Sequence, residues 1–173
     1  MELPGATYLF TLAALSVTFV GFSALVIIIR QAFGGAISRL EILITRIFIQ
    51  LGFMVTAGAM LPPLLSLFEL PHALIWRASS VAAAIPSFVF AVTYPARRHA
   101  ASGVATPLAI WIDILILLAA VAVLMLNATG VGIVPGPGPF AAALTVILFL
   151  SGFAYLQALR TLLSHHLSRL DKK

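Results

Sequence analysis

Apolar residues run along this chain in five long blocks, and short clusters of Gly, Pro or charged residues separate them. A helix rises about 1.5 Å per residue, so about 20 apolar residues cross the roughly 30 Å hydrocarbon layer of a bilayer. The blocks at 8–29, 42–68, 74–94, 108–126 and 140–159 meet that length. They predict an all-α integral membrane protein of five transmembrane helices in a single bundle domain over residues 1–173.

The blocks differ in what interrupts them. The second carries Arg46, Gln50 and Pro62-Pro63, and a proline pair that removes two backbone donors predicts a kink or an early helix stop near its far end. The third is the least apolar, with Arg77, Ser79, Ser80, Pro86 and Ser87 among many Ala, while the fourth is aliphatic except for Asp113. Between the third and fourth, the segment from Pro95 to Pro107 reads as a basic loop. Between the fourth and fifth, Val134-Pro135-Gly136-Pro137-Gly138-Pro139 reads as a non-helical connector. Beyond the fifth block the helical spacing persists. Leu156, Leu159, Leu163, Leu167 and Leu170 recur on one face while Arg160, Ser164, His165, Ser168 and Arg169 take the others. This predicts an amphipathic cytoplasmic tail over 160–173.

Composition removes the soluble alternative. Hydrophobic residues make up 62% of the chain and charged residues 9%, with a mean hydropathy of +1.14, against roughly 25% charged residues in soluble domains. Cysteine is absent, which excludes disulfides, thiolate metal sites and Cys nucleophiles.

Charge then orients the spans. With alternate gaps assigned to one side, Arg30, Arg39, Arg46, Arg97, Arg98, Arg160, Arg169, Lys172 and Lys173 share a side, and Arg77 alone lies opposite. By the positive-inside rule this predicts N-terminus out and C-terminus in. Discarding the third span lowers the best split to seven against three, so it stays a full span. The excess of Arg over Lys and the abundance of Ala suggest a bacterial inner membrane. Positive charge follows the first span instead of preceding it, so that span reads as retained and not as a cleaved leader. The net charge of +5 is explained by orientation and by anionic headgroups, with no need for nucleic acid.

Few residues offer chemistry. An acid near a helix centre costs about 2.5–3.5 kcal/mol to insert, which singles out Asp113. Arg46 lies at a comparable depth from the same face, and Gln50 follows it by one helical turn, so Arg46, Gln50 and Asp113 form a candidate ion or solute path between spans two and four. An Arg46–Asp113 ion pair is one arrangement; separate roles, with Arg46 reaching the headgroups and Asp113 a neighbouring helix, are the other. Glu69 and Arg77 form a candidate structural ion pair or an outer anion-attracting vestibule. Trp76 is placed at the outer interface. Small residues at Ser80, Ala84, Ser87 and Ala91, at Gly52, Thr56 and Ala59, and at Ser151, Ala154 and Ala158 mark faces for close helix packing.

His99, His165 and His166 share the inner side, but adjacent His165 and His166 diverge on a helix and make a poor chelating pair, so no metal site is assigned. Asn127-Ala128-Thr129 matches a glycosylation acceptor and is discounted because it abuts the membrane. No phosphate-binding loop, zinc-helix motif, potassium-filter sequence or nucleophile elbow is present, and no catalytic residue or cofactor is assigned. Two functions follow from this inventory. One is an oligomeric channel or transporter with its inner polar site on spans two and four. The alternative is a non-catalytic membrane subunit or scaffold, with the lipid bilayer and a homo-oligomer or larger complex as partners.

Overall fold

The computed structural model describes residues 3–32, 39–103 and 106–170, with the backbone alone at 23, 26–27, 29–32, 39–41 and 157–170. Five helices follow in order: α1 (Ala6–Ala32), α2 (Arg39–Ser66), α3 (His72–Ser102), α4 (Leu108–Thr129) and α5 (Pro137–Leu170). Within the described residues, four stretches are long and apolar enough to cross a membrane: Ile42–Ser66, His72–Ser102, Leu108–Thr129 and Pro137–Leu156. In α1 the apolar helical stretch Ala6–Phe22 is shorter.

Packing partners follow chain order and then close on themselves. Helices α2, α3, α4 and α5 form a ring in which each touches the next and α5 returns to α2, while α1 lies outside against α2 and, to a lesser extent, α5. Across the ring, α3 and α5 touch; α2 and α4 do not meet among the described residues.

The core follows from periodicity. On α3, Ile75, Trp76, Ser79, Ser80, Ala83, Ala84, Ser87, Phe90 and Ala91 are buried, a run of threes and fours that marks one helical face. The other face presents Ile85, Phe88, Val89 and Val92 outward. On α4, Ile114, Leu117, Ala120, Val121, Leu124 and Asn127 turn inward, and Trp111, Ile112 and Leu115 turn out. So large an exposed apolar surface suits hydrocarbon and not water.

In lipid, packing and interhelical hydrogen bonds replace the hydrophobic effect as the drive for association. Gly52 allows α1 to lie close on α2: a β-carbon there would collide with Val20 Cγ2. At the same place Ser16 Oγ donates to the Gly52 carbonyl at 2.8 Å, as does Thr56 Oγ1 at 3.0 Å. The Tyr8 and Thr145 hydroxyls meet at 2.6 Å between α1 and α5. The small faces of α3 and α2 are spent inside the bundle, with Ser80, Ala84, Ser87, Ala91 and Ala59 all buried. Ser151 is buried too, while the side chain of Ala158 lies outside the described residues.

Of the kink or early stop expected at Pro62-Pro63, the stop does not occur, since α2 runs on to Ser66. Two boundaries differ from the sequence reading. The expected basic loop from Pro95 is helical as far as Ser102, with Pro95 inside α3 and Gly103 in the left-handed conformation at its end. Proline in a helix costs a hydrogen bond without forbidding the helix, and Arg97, Arg98 and His99 suit a helix emerging from the apolar layer. Pro137, Gly138 and Pro139 form the first turn of α5 and not a connector. The opening turn needs no intrahelical N–H, so proline is at home there. Past residue 159 the α5 backbone stays helical to Leu170, but the side chains that would define an amphipathic tail, and residues 171–173, lie outside the described residues.

Candidate functional site

Packing contacts fix the depth of each candidate residue. Asn127 of α4 bonds Ser80 of α3, and fourteen residues from each along these antiparallel helices lie Asp113 and Tyr94, which therefore share a level. Gly58 of α2 lies against Ala83 of α3, and eight residues further along each stand Gln50 and Ala91. Phe48 of α2 packs on Tyr155 of α5 at 4.8 Å between ring centroids. By these levels Arg46 lies close to Asp113, and Gln50 stands about one helical turn further in.

Depth is all that Arg46 shares with Asp113. Since α2 and α4 stand across the ring from each other, no ion pair joins the two among the described residues. Arg46 is exposed. Gln50 is half-buried and accepts a hydrogen bond from Arg97 Nη1 at 3.4 Å. Asp113 lies on the face of α4 that carries Leu117 and Leu124, is half-buried, and makes no hydrogen bond or ion pair among the described residues. Arg97 is the polar partner the sequence reading missed, because Pro95 placed it in a loop.

Beside Gln50, a groove of about 490 Å³ runs between α2 and α3. Gln50 is its one polar lining residue, and the small residues Ala57, Gly58, Ala82 and Ala83 leave its volume open. A second groove, of about 200 Å³, is lined on α1 by Leu15, Thr18, Phe19 and Phe22.

At the other end of the bundle, Glu69 and Arg77 do not pair among the described residues. Glu69 is exposed and takes a left-handed conformation, φ +55°, in the turn after α2. Arg77 instead lies beside the end of α4, where Nη2 would be 3.3 Å from a β-carbon at Gly130. A guanidinium there complements the partial negative charge of a helix carboxyl end. Trp76 is buried at 2% exposure, packed on Phe140 with centroids 5.7 Å apart. A headgroup-facing Trp, as expected at an interface, would be exposed, whereas this indole is enclosed by the bundle.

Asn127 is the most fully engaged polar residue here. At 0% exposure it donates from Nδ2 to Ser80 Oγ at 2.8 Å and accepts at Oδ1 from the Gly136 N–H at 2.9 Å. The glycosylation motif it begins is therefore closed by packing. Three buried polar atoms have no hydrogen-bond partner among the described residues: Ser79 Oγ, Arg98 Nε and Tyr155 Oη. No group of three metal-ligating side chains assembles among the described residues; His99 is exposed, and the side chains of His165 and His166 lie outside them. Comparison with protein-family models, curated proteins and solved structures finds no match.

Proposed function

We propose that this chain is a non-catalytic membrane subunit or scaffold, a five-span bundle with its N-terminus outside and its C-terminus in the cytoplasm of a bacterial cell. In this reading α1, a helix of 27 residues, is the fifth span, and the nine-to-one distribution of cations sets orientation. The observation that carries the function is where the interior polar groups are spent. Ser16 bonds the Gly52 carbonyl of α2, and Asn127 bonds Ser80 of α3 and the Gly136 backbone; both are buried and hold neighbouring helices in register, while buried Ser151 bonds Leu148 within its own helix. Such bonds average about 0.6 kcal/mol each in membrane proteins and act through their number. The helices then present broad apolar faces to lipid or to partner helices.

The oligomeric channel or transporter is the second reading, and Asp113 favours it. A carboxylate kept about two turns inside α4 with no ion-pair partner among the described residues is costly without a task. Because Arg46 and Gln50 stand on α2, across the ring from α4, a path using all three would run between copies of the chain.

Flux into liposomes separates the two. For a scaffold, purified protein passes no more Na⁺, K⁺, Cl⁻, protons or small neutral solutes than empty vesicles do. Flux that changes in rate or pH dependence in both Asp113→Asn and Arg46→Gln contradicts the scaffold and establishes the path.

A further inference from the structure

We infer that the α2/α3 groove is a binding site for an anionic phospholipid, with an acyl chain along the groove and the phosphate held by Arg97 and Arg46. This is independent of the choice between scaffold and channel and needs only that the helices sit in a bilayer. The groove is apolar along its length and polar at one end, where Gln50 lines it. On α2, Arg46, Gln50, Phe53, Ala57 and Leu61 follow at intervals of three and four, so Arg46 continues the groove-lining face by one turn toward the basic end.

Helix direction brings the second cation to the same place. Side chains lean toward the amino end of their helix. On α3 that lean carries Arg97 back up the bundle, away from the basic end. Its backbone lies six residues, about 9 Å, beyond Ala91, the level of Gln50. Its guanidinium nevertheless reaches Gln50 Oε1. On α2 the same lean carries Arg46 toward the basic end. One cation therefore stands at the foot of the groove and another just below it.

Their chemistry selects the ligand. At 3.4 Å the Arg97–Gln50 bond is weak, and it uses one of five guanidinium N–H groups. The remaining donors suit a phosphate, which guanidinium binds through paired, charge-assisted hydrogen bonds. A helix from a second copy would match the apolar walls, but among the described span residues only Asp113 of α4 brings a carboxylate, and one carboxylate leaves a cation unanswered. A chain-bearing phosphate matches both ends, and the volume falls within the range of ordinary ligand sites.

The test is native mass spectrometry of the full chain from mild detergent, titrated with dioleoylphosphatidylglycerol or dioleoylphosphatidylcholine. Wild type should prefer the anionic lipid. Arg97→Gln and Arg46→Gln should each lose about fivefold in affinity for it while binding the zwitterionic lipid as before. Arg97→Lys, which keeps the charge but not the paired donors, should fall between wild type and Arg97→Gln in preference, and matching thermal melts of all variants exclude a folding defect. Ala57→Leu, which fills the groove, should weaken both lipids, and glycerol 3-phosphate should fail to compete. Equal binding of the two lipids by wild type overturns the inference, as does a preference that survives Arg97→Gln. So does an Ala57→Leu protein that binds both lipids normally but loses self-association, which would assign the groove to a second copy.

Discussion

Asn127 shows how much one polar residue can organise inside an apolar bundle. Its amide ties α4 to Ser80 of α3 through the donor and to the Gly136 backbone through the acceptor. Asn127→Leu keeps the branched shape in a larger side chain but leaves the Gly136 N–H without its acceptor. We expect a loss of about 1–2 kcal/mol, read as a lower melting temperature in detergent; an unchanged melt would mean that the amide holds nothing. None of this is legible in the sequence, where Asn127 is an Asn near a helix end within a glycosylation motif. What identifies it is the neighbour it meets, and Ser80 lies 47 residues away. The neighbour of Arg77 is hidden in the same way. Glu69 is its obvious partner by proximity in the chain, but the fold carries the guanidinium to the end of α4.

Helices, in contrast, were largely legible, because an apolar block of bilayer length has few other uses. Errors gathered at proline. Pro95, Pro137 and Pro139 look like helix breakers in the sequence, yet one lies inside α3 and two lie in the opening turn of α5. Whether proline breaks a helix depends on whether its missing N–H was needed, which composition does not reveal. Glycine ends the helices more firmly. Gly103 and Gly130 both close a helix with positive φ, at +65° and +75°. An L-residue in that conformation pays about 1–2 kcal/mol. A β-carbon at Gly103 meets nothing within 4 Å, whereas one at Gly130 would press on Arg77 Nη2 at 3.3 Å and Pro135 Cγ at 3.4 Å. Gly103→Ala should therefore cost the left-handed penalty alone, and Gly130→Ala measurably more. Equal melting temperatures for the two variants would show that Arg77 and Pro135 yield freely.

The whole molecule joins a pattern written in the sequence to an arrangement that is not. Helices long and apolar enough to cross a membrane, four of the five expected, their antiparallel succession and the similar depth of Arg46 and Asp113 follow from counting residues between charged gaps. Neighbour relations do not follow, since nothing in the spacing says that α5 closes the ring on α2 or that α2 and α4 stand across it. That placement separates Arg46 from Asp113, joins Gln50 to Arg97, and puts both arginines at the foot of one groove. All of it presupposes that the bundle crosses a bilayer with its basic end on one side. The chain contains no cysteine, so single substitutions can be labelled without background. Val134→Cys lies in the exposed turn before α5 and Ala100→Cys at the exposed end of α3. In intact bacterial cells, a membrane-impermeant maleimide should label Val134→Cys and reach Ala100→Cys only after the membrane is opened. Labelling of both from outside, or of Ala100→Cys alone, would contradict the account.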